Sequence, residues 1–192
     1  MIAAVDVVVK VGGSLLADPP RLDAVLGVLA DASPERRLLV VPGGGPFADA
    51  VREVDRRVGL TDTAAHWMAV LAMDQYGHLL AARLPGSVVV SEPREMAAAL
   101  DSRRLPVLVP FRWLRQTDPL PHGWDVTSDS IAAWTTGAIG ADRLVLVKPA
   151  GAHGHGLVDA YFDRALPAGV TAAIVPADRL DALRTALGRR PT

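Results

Sequence analysis

Short runs of Val, Leu and Ile punctuate the chain at 5–11, 38–41, 87–90, 105–109, 144–147 and 171–175. They do not alternate apolar with polar residues, as a half-exposed strand would. Continuous apolar runs of this length belong to strands covered on both faces. Between them lie segments with apolar residues at helical spacing. Residues 21–31 put Leu22, Val25, Leu26 and Leu29 on one side, and 46–58 do the same with Phe47, Ala50, Val51 and Val54. Residues 61–84 read as a long, alanine-rich central helix, and 93–100, 128–139 and 176–187 as further helices. Ser91 and either Thr127 or Ser128 suit N-caps, and Gly140 and Gly188 suit stops. Strand and helix thus alternate from end to end, which predicts an α/β fold with a mostly parallel sheet between helices. Without internal repeat or linker, the 192 residues read as one domain, 1–192. The exception to the alternation is 110–125, PFRWLRQTDPLPHGWD, an irregular stretch containing Trp113 and Trp124.

Composition narrows the chemistry. The chain has no Cys, 21% charged residues and a net charge of −1. This excludes a disulfide scaffold, a thiolate metal site and a thiol nucleophile, and it argues against disorder. The near-neutral charge gives no footprint for nucleic acid. The opening MIAAVDVVVKVGGS lacks a basic n-region and Asp6 interrupts it, so no signal peptide is expected. No stretch approaches the ~20 apolar residues of a membrane span, and a cytoplasmic protein is the expectation. Of the 20 basic residues 18 are Arg, and only Lys10 and Lys148 are Lys. Both directly follow an apolar run, VDVVVK and RLVLVK. Where Arg fills every other basic position, these two point to a need for a compact, rotatable ammonium.

Ligands of open α/β sheets sit beyond the carboxyl ends of the strands, and three loaded segments fall there. Lys10-Val11-Gly12-Gly13-Ser14 follows the first run, and its glycines let backbone N–H groups approach an anion. It is not a P-loop, because Lys10 precedes the glycines. Pro42-Gly43-Gly44-Gly45-Pro46 follows the second run and opens a helix, whose N-terminus favours anions. Asp125-Val126-Thr127-Ser128-Asp129-Ser130 opens the helix before RLVLVK. Each segment also has a purely structural reading, as a turn or as helix capping.

Taken together, KVGGS, PGGG and TSDS at these intervals resemble the amino acid kinase family, which includes aspartate, acetylglutamate, uridylate, carbamate and isopentenyl phosphate kinases. The resemblance extends over VVVKVGGSLL, LLVVPGGGPFADAVR and DVTSDSIAAWTTGAIGADRLVLVK. It implies a three-layer α/β/α sandwich with about eight strands, mostly parallel, and phosphoryl transfer from ATP with Mg²⁺. It also implies a homo-oligomer. Carried over by position, Lys10 contacts the transferring phosphoryl group, Asp129 holds the catalytic lysines, and Gly12, Gly13 and Ser14 serve the nucleotide. Gly43, Gly44 and Gly45 form the acceptor cradle, with Arg52, His66 and Thr127 on the acceptor side.

Within the family, LTDTAAHWMAVLAMDQYGHLLAARL and GLVDAYFDRAL are similar to the branch that extends an (aminomethyl)furanmethanol phosphate to its diphosphate in methanofuran biosynthesis. The isopentenyl phosphate branch carries a histidine after the glycine turn, where this chain has Phe47-Ala48-Asp49. One departure stands out. Relatives continue from the fifth strand into an acidic nucleotide loop, whereas this chain reads KPAGAHGHG from Lys148 to Gly156. Lys148 is expected to replace the second cation of the family, with Gly151, His153 and Gly154 against nucleotide. His153 and His155 alone supply too few ligands for a metal. An acyl-phosphate-forming amino acid kinase and a non-catalytic nucleotide- or anion-binding protein remain alternatives at this point.

Overall fold

A computed structural model describes residues 5–154 and 156–188. The apolar runs become strands: β1 (Val7–Val11), β2 (Leu38–Pro42), β3 (Ser87–Val90), β4 (Leu105–Leu108), β5 (Arg143–Lys148) and β6 (Thr171–Pro176). They form one sheet in the order β3-β4-β2-β1-β5-β6, with every neighbouring pair parallel. The helices are α1 (Pro19–Ala32), α2 (Gly45–Val58), α3 (Asp62–Arg83), α4 (Pro93–Asp101), α5 (Phe111–Thr117), α6 (Ser128–Ala138), α7 (Phe162–Ala165) and α8 (Leu180–Leu187). A 3-10 turn over Gly13–Ala17 follows β1.

The side chains of β1 show why the runs are continuous. Val8 joins Leu39, Leu144 and Leu146 on one face, against Met96 of α4, Leu114 of α5, Ile131 of α6 and Phe162 of α7. Val7, Val9 and Val11 join Val145 and Val147 on the other, against Leu22, Val25 and Leu26 of α1 and Leu183 of α8. Helices on both sides bury both faces, which gives the three layers expected. Helix α3 serves each core in turn, with Trp67, Val70 and Met73 in the first and Tyr76 and Leu80 in the second.

Three details differ from the sequence reading. The sheet holds six strands among the described residues, where about eight were implied. Residues 149–154 and 156–161, between β5 and α7, form turns and coil, with Gly151, Gly154 and Gly156 at positive φ. Part of the stretch read as irregular is helical. The Phe111 N–H of α5 donates to Asp74 Oδ1 of α3 at 3.0 Å, and the helix buries Trp113 and Leu114. A cap supplied from another helix leaves no local signature. Finally, α8 starts at Leu180 rather than at Pro176, because Pro176 pairs with Lys148 in the sheet.

The topology sets the position of the site. From β1 the chain moves to one side through β2, β3 and β4, then returns to β1's other flank with β5. The connections diverge between β1 and β5, and such a crevice is where open α/β sheets bind ligands. Lys10 lies near the end of β1 and Lys148 ends β5. No helix among the described residues is long and apolar enough to cross a membrane.

Candidate functional site

Strand periodicity puts both lysines on one face. Lys10 follows Val8 at an interval of two, and Lys148 follows Leu144 and Leu146. In register, Lys10 faces Leu146, so Lys148 stands one strand across and two residues further on. Asp129, in the first turn of α6, closes the gap. Its Oδ1 lies 2.9 Å from the Lys10 Nζ, and the Lys148 Nζ donates to its Oδ2 at 2.6 Å. All three side chains are buried, with Lys10 and Asp129 each 5% exposed and Lys148 9%. Two ammoniums share one carboxylate, which leaves this buried set one positive charge in excess. Burial pulls the Lys10 ammonium below its ordinary range against the attraction of Asp129, and Lys148 adds to that pull. Burial alone would push the Asp129 carboxyl up, but the two lysine charges hold it below the usual carboxylate range.

The glycine turns have a reason that the sequence did not disclose. They pack backbone against backbone. A Cβ on Gly13 would lie 2.0 Å from the Gly45 nitrogen, and one on Gly43 would lie 2.5 Å from the Gly13 nitrogen. Gly12 and Gly43 extend the sheet, their N–H groups donating to Val147 and Val11 at 3.0 and 2.9 Å. Tyr76 of α3, fully buried, donates its hydroxyl to the Gly12 carbonyl at 3.3 Å. The interlock leaves Ser14 exposed and sets the N-terminus of α2 beside the first turn after β1. First-turn N–H groups have no intrahelical acceptor, so both turns present donors.

Beside these turns opens a cavity of about 200 Å³. Of the residues expected at the site, Gly13, Ser14, Gly44, Gly45, Arg52, His66 and Thr127 line it. Its floor is apolar, from Ala48, Val70, Met73, Val126 and Ile131. Trp124 forms one wall. Its indole N–H donates to Asp55 of α2 at 2.7 Å, and the Arg52 guanidinium lies 4.7 Å over its ring while pairing with Asp49 at 2.8 Å. Trp113 instead packs against Trp134. Gly12, Gly43, Lys10, Asp129 and Lys148 are not among its lining residues. Gly151, His153 and Gly154 lie exposed in the turns after β5, where the Gly151 N–H donates to Asp178 at 3.2 Å. His155 lies outside the described residues.

His66 is buried and stacks on His122 at 4.4 Å. Burial, aided by the His122 charge, lowers its pKa to about 4, so at neutral pH it is an uncharged wall of the cavity. An unfolded His66 takes up a proton below pH 6.5, whereas the folded one resists until about pH 4. Stability contributed by neutral His66 is therefore present above pH 6.5 and is lost as pH falls toward 4, by up to about 3 kcal/mol. Urea denaturation at pH 7 and pH 4.5 checks this. His66→Gln should flatten the difference, and an unchanged pH slope in that variant contradicts it.

One residue essential to this geometry was missed. Asp159, in the turns before α7, accepts from the Thr127 N–H at 2.9 Å, the Thr127 hydroxyl at 2.7 Å and the Ser130 N–H at 3.1 Å, and it pairs with the Ser130 hydroxyl. Thr127 precedes α6 but makes no side-chain cap of its own. Asp159 thus caps the helix that carries Asp129. The only signal was indirect, an Asp within GLVDAYFDRAL.

Comparison with known proteins agrees with this architecture. The model of the family described as "Amino acid kinase family" matches residues 7–151. The chain is 25% identical over 176 residues to the [5-(aminomethyl)furan-3-yl]methyl phosphate kinase of Methanocaldococcus jannaschii, covering 92% of this chain and 76% of that protein. Among solved structures, uridylate kinase from Archaeoglobus fulgidus superposes with a TM-score of 0.72 at 16% identity, over 96% of each chain. The UMP kinase from Ureaplasma parvum follows at 0.67 and 14% identity, over 94% of this chain and 95% of that one.

Proposed function

The chain belongs to the amino acid kinase family of phosphotransferases, and from that premise we propose that it transfers the terminal phosphoryl group of ATP to the phosphate of a small phosphorylated acceptor. An (aminomethyl)furanmethanol phosphate, yielding its diphosphate, is the foremost candidate. The observation that carries this reading is the buried Lys10–Asp129–Lys148 set with its excess positive charge, next in the chain to Thr127 and Ser128, which line a small cavity with an apolar floor. A transferring phosphoryl group supplies the negative charge that this set lacks. Lys10 and Lys148 would neutralise its equatorial oxygens, while Asp129 fixes where both ammoniums point. An acceptor phosphate is already nucleophilic, so no general base is required. The exposed donors at the start of α2 would orient that phosphate, and the floor between Ala48 and Ile131 would take the ring.

The donor set fits the phosphate chain of ATP, with Lys10, Lys148 and the turn after β1 to hold it. It does not fit a protein-held Mg²⁺. Among the described residues no group of three His, Cys, Asp or Glu side chains comes together, and Asp129 is committed to two lysines. The magnesium that the family implies would have to arrive on nucleotide phosphates, and no step is assigned to it. Self-association belongs to the same reading, supported by Val54 and Val58 of α2 and Leu71 of α3, which stand exposed.

The test is ADP formation with three acceptors. The furan monophosphate should release ADP at a rate well above UMP. An amino acid should yield no hydroxamate when hydroxylamine is present. Hydroxamate from the amino acid would instead mark an acyl-phosphate kinase, and ATP binding without ADP from any acceptor would mark a non-catalytic protein.

A further inference from the structure

The opposite end of the sheet carries a second concentration of positive charge. Arg36-Arg37 directly precede β2 and Arg103-Arg104 directly precede β4, in the near-identical entries RRLLVV and RRLPVL. Strands β2 and β4 are parallel neighbours with Val40 facing Val107. The two pairs therefore enter neighbouring strands at the same end of the sheet, Arg103 from a turn at positive φ. Like charges gathered around one cavity repel unless something offsets them.

The four arginines line a polar cavity of about 340 Å³. Two carboxylates, Glu35 and Asp101, share the lining, so the cavity keeps two positive charges in excess. The guanidiniums are held in place largely by neutral partners. Arg36 donates through Nε to the Gly188 carbonyl at 3.0 Å, and Arg104 donates to the carbonyls of Gly86 and Ser87. Arg37 pairs with Asp101 at 2.9 Å. Arg36 is 8% exposed, yet its Nη2, like the Nε of Arg37, has no hydrogen-bond partner among the described residues. Buried guanidinium nitrogens unpaired among the described residues favour a further acceptor.

We propose that this cavity is a second anion site, built for a small phosphorylated or carboxylated molecule that bridges the two Arg-Arg pairs. It lies at the Leu38 end of β2, roughly 15 Å along the strand from the glycine turns, so it is separate from the catalytic centre. Guanidinium forks suit both oxyanions bidentately.

Calorimetry with pyrophosphate and, separately, citrate tests this on the whole protein. The wild type should bind one more equivalent of at least one of them than Arg103→Gln does, or bind it about tenfold more tightly. Arg103 is exposed in a loop, so its neutralisation should leave the melting temperature and turnover at wild-type values. Pyrophosphate binding with citrate inert assigns a phosphorylated ligand, and the reverse assigns a carboxylate. Identical titrations of wild type and Arg103→Gln with both anions overturn the site.

Discussion

Replacing Lys10 with Ala should lower the turnover number by about three decades while leaving the protein folded. The magnitude follows from charge alone. A unit charge about 4 Å from a phosphoryl oxygen is worth about 4 kcal/mol at an effective dielectric near 20, and each 1.36 kcal/mol of barrier is tenfold in rate. The fold should tolerate the change because Asp129 keeps Lys148 at 2.6 Å, so the variant buries a neutral pair rather than a lone charge. Lys10→Arg separates charge from shape. It restores the cation, but a planar fork cannot follow a moving phosphoryl group in a site only 5% exposed, and a loss of at least about tenfold should persist. Steady-state kinetics with the furan monophosphate, alongside thermal melts, provide the check. An Ala variant that formed ADP at the wild-type rate would remove Lys10 from the chemistry.

That both lysines can be argued from sequence reflects how strand geometry writes itself into a chain. An apolar run with Lys at or next to its last position reads as the end of a strand, and period-two alternation then fixes the side on which each ammonium lies. The register that sets Lys148 diagonally across from Lys10 was not legible, because nothing local says that β5 pairs with β1. The glycines were legible as special, but one of the reasons for them was not. Their absent side chains serve first to let Gly13 and Gly45 pass each other, a contact between segments some thirty residues apart.

Long-range capping was invisible for the same cause. Thr127, one of the two cap candidates, holds the N-cap position, but Asp159 makes the side-chain bonds there, and Asp74 starts α5 within a stretch read as irregular. Each is a single Asp whose partner comes from elsewhere in the fold. Trp124 was placed in the right loop, yet only its bond to Asp55 and the stacking of Arg52 show that the loop walls the cavity. The paired Arg-Arg entries were in plain view but became meaningful only with the β2–β4 register.

Asp129→Asn should be the most damaging single change to stability near the site. The substitution keeps shape and volume but withdraws the one carboxylate shared by two buried ammoniums. Breaking a buried ion pair in this way costs about 3–5 kcal/mol, because the remaining charges stay desolvated without compensation. For a chain of this length that corresponds to a fall of roughly 6–20 °C in melting temperature. The pH dependence identifies the cause. Lys10, already held below its ordinary range by burial, falls further without Asp129, so the unfolded state binds more protons than the folded one up to the ordinary lysine pKa of 10.5. Stability of the variant should therefore recover as pH rises from 7 toward 10, relative to wild type. Sulfate should recover part of it too, by lending the missing negative charge at the same place. Turnover should fall with stability at pH 7, since neither ammonium is then oriented. A variant with the wild-type melting temperature at pH 7 and no differential gain with pH would mean that Asp129 does not hold the pair, and the site would have to be rebuilt around another anion.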